Sequence, residues 1–216
     1  MKIAKLLIAL VVVAICLLIS PKARTQGGGT KPTTPAPLAM PQAQPSQQPV
    51  LSITNVLERD LSAVEKQIVG AAESMPEDRF NFTPESLNIP GSDYKGVRSF
   101  ALQIRHIATV NYVLWSPLTG DPVPAGIKGT NWRDTPEELK TRAEIMKFLK
   151  DSFALGHKAV ATLTSDNVLE QVPFRDAKAP RLYLATHAVI HANDHYGQMV
   201  EYLRMCGIVP PASRSK

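Results

Sequence analysis

The stretch "HANDHYGQMVEYLRMCGIVPP", His191–Pro211, decides how this chain is read. Two histidines stand four residues apart, an apolar helical run follows, and Gly207 with Pro210 and Pro211 closes it. Glycine reaches the left-handed conformation that ends a helix, and proline cannot continue one. The pattern extends back to Pro180, so a helix is expected from about Pro180 to Gly207. Residues four apart on a helix lie nearly one above the other. His187 adds a third histidine to that stripe, one turn before His191.

A rise of 1.5 Å per residue separates His191 from His195 by about 6 Å, close enough for both imidazoles to reach one metal ion. The full triplet from His187 spans about 12 Å. With metal–nitrogen bonds near 2.1 Å, one ion cannot take all three from a straight helix. One adjacent pair must supply two ligands and another element the third. A lone pair of this kind also serves surface or capping chemistry, so the third ligand matters.

Working outward, three more helices are expected. Val56, Leu57, Leu61, Val64, Ile68 and Ala71 repeat at three and four residues, predicting a helix over about Thr54–Ser74 with Ser52 or Thr54 as its cap. "VRSFALQIRHIATVNYVLW" predicts a second over about Val97–Trp115, apolar on two faces, with Arg105, Thr109 and Tyr112 tolerant of solvent. His106 falls on one apolar face of that enclosed helix, where its ring nitrogens need partners; it is the natural candidate for the third ligand. A core histidine bonded to a carbonyl is the plain alternative.

Thr135, Pro136 and Glu138 spell a capping box, and a third helix is expected from there to about Leu163. "TSDNVLEQVPFRDAKAP" reads as a connector holding at most one helical turn, and no alternating strand pattern stands out. The class is all-α: a four-helix bundle in which the loop of about 20 residues after Trp115 crosses over instead of making a tight hairpin.

The rest of the chain sets the context. Residues 1–25 combine a short basic segment with the apolar run "LLIALVVVAICLLIS", which suits a signal peptide or an N-terminal anchor. Ile15 before Cys16 is not the small residue that lipoprotein processing needs. Residues 26–50, rich in Pro, Gly and Gln, have too little apolar area to order themselves and read as a disordered linker. The folded domain is expected over 51–211, with 212–216 as a tail.

Of the 24 Lys and Arg, seven lie in the tails, leaving 17 against 19 Asp and Glu, a domain charge of −2. Nucleic acid is therefore not an expected partner. A small-molecule substrate is, with contact to a membrane only through an uncleaved N-terminal segment, and a homodimer as the assembly considered. Cys206 would be alone after cleavage, so no intrachain disulfide is expected.

Three phrases resemble the DinB-like (YfiT-like) family of metal-dependent proteins. These are the closing "HANDHYGQMVEYLRMCGIVPP", the helix "RHIATVNYVLW" and the linker "MPEDRFNFTPE" before it. The resemblance covers about 51–211 and implies an up-down-down-up bundle. It also implies the metal ligands His106, His191 and His195. His187 falls where the family usually has an apolar residue, and Tyr196 stands where many relatives carry Arg, so no role of that Arg transfers.

Gln198 and Tyr202 project on the side of the pair and are candidates for contacts behind the ligands. Ala192 stands where a metalloprotease would carry its glutamate base, which excludes that motif. No residue stands out as a general base. Asp194, offset around the helix from His195, is the catalytic candidate, placed to orient a metal water or hold a histidine; a solvated helix aspartate is the plain alternative. The expected cofactor is a divalent ion, zinc, nickel, iron or manganese, all of which accept imidazole. The function this implies is an exported divalent-metal-dependent hydrolase acting through metal-activated water. The alternatives are a non-catalytic, metal-stabilised binding or scaffold bundle and a thiol-dependent transferase of the same superfamily.

Overall fold

Ser52 begins the first helix: its hydroxyl accepts a hydrogen bond from the Asn55 backbone N–H at 3.1 Å, which satisfies one of the helix's orphan donors. Helix α1 then runs Ile53–Ser74 and buries Leu57, Leu61, Val64, Ile68, Ala71 and Ala72. Thr54, the other candidate cap, donates instead to the Leu163 carbonyl at 2.6 Å. The computed structural model describes residues 51–127 and 135–215. The expected leader (1–25) and linker (26–50), and part of the long connection (128–134), lie outside them.

The segment after α1 is two short 3-10 turns, Glu77–Arg79 and Pro84–Leu87, around the buried Phe80. The carbonyls of Phe80 and Phe82 accept the N–H groups of Ala101 and Phe100, both at 2.9 Å. This phrase therefore closes the N-terminal end of helix α2, Phe100–Thr119, alongside the Ser99 cap. That start is three residues later than the apolar pattern suggested.

Helix α2 also runs a turn past Trp115, through Pro117, until Gly120 turns left-handed at φ 77°. Burial of Leu118 holds that last turn despite the proline. Thr109, expected to tolerate solvent, is fully buried, its hydroxyl donating to the Arg105 carbonyl at 2.8 Å.

Helix α3, Arg142–Ala161, corrects the reading of its own start. "TPEELKTRAE" contains two capping-box phrases, and the second forms: Thr141 caps, and Glu144 reaches back to the Thr141 N–H at 2.8 Å. The buried stripe Ile145, Leu149, Phe153 and Val160 begins only after Thr141, so packing favours the later start. The carbonyls of Pro136 and Leu139 accept from Arg105 instead of entering a helix.

The connector expected to hold a helical turn is a hairpin of β1, Gln171–Phe174, on β2, Ala177–Pro180, with Arg175 at φ 55° in the turn. Pro173 and Pro180 hid it from the pattern; a two-stranded sheet is all edge, where proline is tolerated. Helix α4, Arg181–Met205, closes as expected. Gly207 takes φ 73°, and the Ile208 N–H reaches the Leu203 carbonyl at 2.8 Å, a Schellman ending. The expected tail includes part of a further 3-10 turn, Pro211–Ser213, and Arg214 donates to the Ser74 hydroxyl of α1 at 3.1 Å.

Helix α2 packs on α3 and α4, and α1 packs on the same two. Directions follow from the contacts. Arg105 meets Leu139, Asn111 meets Ser152 and Asp121 meets Lys158, so α2 and α3 are parallel. Thr54 meets Leu163 and Glu73 meets Lys150, so α1 opposes α3. Arg181 meets Leu118 and Gln103 meets Gln198, so α4 opposes α2. The bundle is up-down-down-up, which the long crossover between two parallel helices requires. Trp115, Phe100, Phe153, Leu61, Ile68 and Leu184 fill its centre.

Candidate metal centre

Antiparallel packing of α2 against α4 brings His106 opposite His191 and His195. Nε2 of His191 lies 3.2 Å from Nε2 of His106 and 3.2 Å from Nε2 of His195. Ring centroids are 5.1, 4.5 and 4.8 Å apart for the pairs 106–191, 191–195 and 106–195. The three ligand atoms all lie within 4.8 Å of one another. His106 and His195 are 6% and 5% exposed, and His191 is half-buried.

Hydrogen bonding alone accounts poorly for this convergence. A neutral imidazole nitrogen has one in-plane position, either a proton to give or a lone pair to offer. Nε2 of His191 faces two other nitrogens at once. Two nitrogens bound to one ion at about 2.1 Å stand roughly 3.0–3.4 Å apart at coordination angles between octahedral and tetrahedral. The observed 3.2 Å lies inside that window. With two of its three separations in that window and all within 4.8 Å, the donor set could hold a divalent ion and leave at least one position open.

The local electrostatics keep lone pairs available. Burial, reinforced by the charges of His195, His106, His187 and Arg98, pushes His191 down to about 3. His195 is lowered too: burial leads and Arg98 adds to it, while Asp194 and a hydrogen bond to Gln198 oppose it. At neutral pH both rings are neutral, the form that binds metal.

The other candidates occupy distinct places. Gln198 accepts from the buried Gln103 at 2.8 Å and donates to Asp194 at 3.0 Å, so it links α2 to α4 just beside His195. Gln103 was not singled out by spacing; its polarity on the buried face of α2 was the available signal. Tyr202 donates to the Arg98 carbonyl at 2.9 Å and so fixes the entry to α2. Asp194 is exposed and bonded to Gln198. His187 stacks on Tyr183 at 5.4 Å and is not part of the cluster. Cys206, half-buried at the end of α4, has its carbonyl bound by Arg79 at 2.7 Å.

The fold and the cluster define a four-helix bundle with three converging histidines that could hold a metal ion. The DinB superfamily family model matches residues 60–199, and the chain belongs to that superfamily. The structure is similar to the crystal structure of a DinB-like protein from Bacillus cereus, with a TM-score of 0.57 and 16% identity. That match covers 74% of this chain and 96% of the other, a likeness of fold. No curated protein matches the chain.

Proposed function

We propose that the chain is an exported metal-binding protein in which His106, His191 and His195 hold a divalent ion for hydrolase-type chemistry. The observation that carries this is the meeting of three Nε2 atoms, the central one 3.2 Å from each neighbour. When bound, the ion would supply Lewis acidity, lowering the pKa of a coordinated water toward neutrality and polarising a substrate carbonyl or thiol. The chain's own part is to present three imidazoles on two packed helices, those of His191 and His195 held neutral, with Gln198 and Gln103 steadying α4 against α2 beside them. Export rests on the apolar run Leu6–Ser20 after the basic residues Lys2 and Lys5. Among the described residues no helix is long and apolar enough to cross a membrane.

Elemental analysis of the full chain, purified without a His tag, tests the metal directly. One equivalent of zinc, nickel, iron or manganese, lost in His195→Ala, is expected. Metal-free protein whose melting temperature none of these ions raises would reject the reading. Assays with ester, amide and thiol-transfer substrates then separate catalysis from scaffold. A metal-stabilised bundle without turnover is favoured by one observation: Asp194, the acid nearest in sequence to the ligands, is exposed and bonded to Gln198.

A further inference from the structure

We propose that the outward face of α4 is a homodimer interface, on which a second copy of the chain lies antiparallel about a two-fold axis at Ile190. The proposal is independent of the metal reading.

Helix α4 turns its buried side to α1 and α2, and the opposite side stays exposed among the described residues. That side differs from the outward faces of α1 and α3. Arg59, Asp60 and Lys66 are exposed on α1, and Lys147, Lys150 and Lys158 on α3, so charge recurs along both. On α4 no Lys or Arg occurs between Arg181 and Arg204. Ile190 is instead 63% exposed and Tyr183 50% exposed. Large apolar side chains on a charge-poor stripe mark an association surface more than a solvated one.

The occupant follows from the spacing. Tyr183, Ile190 and Gly197 recur every seven residues, a step of about 10.5 Å along the axis, so they share one face. Tyr183 is a raised and oriented ring, stacked on His187 at 5.4 Å with an interplanar angle of 14°. Gly197 is the matching hollow: a Cβ there would meet nothing within 4 Å. A two-fold axis through Ile190 sets Tyr183 of each copy on Gly197 of the other. Charge selects the antiparallel direction. Both acids of this face, Asp194 and Glu201, lie in the C-terminal half, and the exposed Lys178 precedes the helix. Antiparallel pairing carries those acids toward the helix N-terminus and Lys178 of the second copy. Parallel pairing would set Asp194 on Asp194, Glu201 on Glu201 and ring on ring. A face that matches itself under a two-fold rotation is what an isologous contact requires.

The test uses the full chain in mild detergent, with Cys16→Ser and Cys206→Ser so that an introduced thiol is the only one. A short bismaleimide should link Ile190→Cys chains into a dimer, because residue 190 meets its own copy at the axis. Val56→Cys, 50% exposed on the outward face of α1, should stay unlinked. In sedimentation velocity the wild type should show a reversible dimer. Ile190→Lys sets two ammonium groups against each other, and Gly197→Leu fills the hollow; each should weaken the dimer roughly tenfold or more. Both positions are open to solvent in a single copy, and circular dichroism checks that the variants keep their helices. A wild type that is monomeric at about 0.1 mM, no linking at position 190, equal linking at 56 and 190, or a dimer that survives both substitutions would each overturn the interface.

Discussion

His157, on the α1–α3 side, and His191, on the α2–α4 side, are one residue type in opposite surroundings. Nδ1 of His157 meets Glu58 at 2.7 Å and its Nε2 meets Glu65 at 2.8 Å, two carboxylates two turns apart on α1. Only an imidazolium has a proton for each. Burial alone would lower its pKa, but the hydrogen bonds and charges of Glu65 and Glu58 outweigh it, and the net shift is upward. Around His191 burial leads and the neighbouring charges that act are positive, so the ring is held neutral. Carboxylates make the first histidine a cationic clamp between helices; imidazoles make the second a candidate metal ligand. The neighbours, not the histidine, decide the chemistry.

The largest effect expected from this contrast is at the neutral cluster. Zinc at about a hundred times its dissociation constant should stabilise the chain by about 2.7 kcal/mol, roughly 5–10 °C in melting temperature for a domain of this size. Ala at position 106, 191 or 195 should abolish the shift, whereas His157→Ala should leave it intact. Thermal melts with and without zinc check both. A zinc shift lost in His157→Ala would break the comparison.

Next in size is Gly156, beside the clamp. A Cβ there would lie 2.9 Å from Trp115 Nε1, 3.1 Å from Cε2 and 3.2 Å from Leu61 Cδ2. In an exposed helix Gly→Ala would gain about 1 kcal/mol. Here overpacking against a fully buried indole should win, for a net loss of about 1–3 kcal/mol. Denaturant unfolding of Gly156→Ala reads the sign. The same variant should bind zinc as wild type does, because α3 contributes no ligand.

How much of this was legible in the sequence differs between the two sites. The 191–195 spacing reports helix geometry directly, and His106 stood out because a polar ring on an apolar face demands a partner. The four helices were equally readable, since each carries its own apolar stripe. The clamp was not readable: Glu58 and Glu65 sit on the solvent side of α1, and nothing local says which α3 residue they meet. The second capping box and the proline-containing hairpin were missed because two similar signals competed at Thr135 and Thr141, and because tertiary contacts override weak strand patterns.

A smaller effect follows from the clamp's charge. The folded-state pKa of His157 is raised above the ordinary value of about 6.5. Its contribution is therefore complete below about pH 6.5 and is lost as pH rises through the raised folded value. Glu65→Gln should cost about 1 kcal/mol or less in acid, because all three side chains are partly exposed. The deficit should vanish in alkali. Urea midpoints of wild type and variant between pH 5.5 and 9 check the convergence; a constant gap would mean that the pair works without the proton.

The smallest expected effect sharpens the contrast within α4 itself. His187 shares the stripe of His191 and His195 and sits one turn away, so spacing alone gives it an equal claim on the ion. Geometry does not: its ring is stacked on Tyr183 with an interplanar angle of 14°, and it is absent from the cluster whose nitrogens converge. Its one expected influence is electrostatic, since its charge helps lower the pKa of His191. His187→Ala should therefore change zinc affinity by less than the ~10-fold that losing even an outer partner of a ligand costs. Competition titration against a chromogenic chelator measures the difference. A loss as large as that of His195→Ala would put His187 in the coordination sphere and displace a ligand on α2 or α4. Since one ion cannot span all three histidines of α4, it would then sit on the adjacent pair His187 and His191, one turn nearer the start of the helix than the observed convergence of nitrogens.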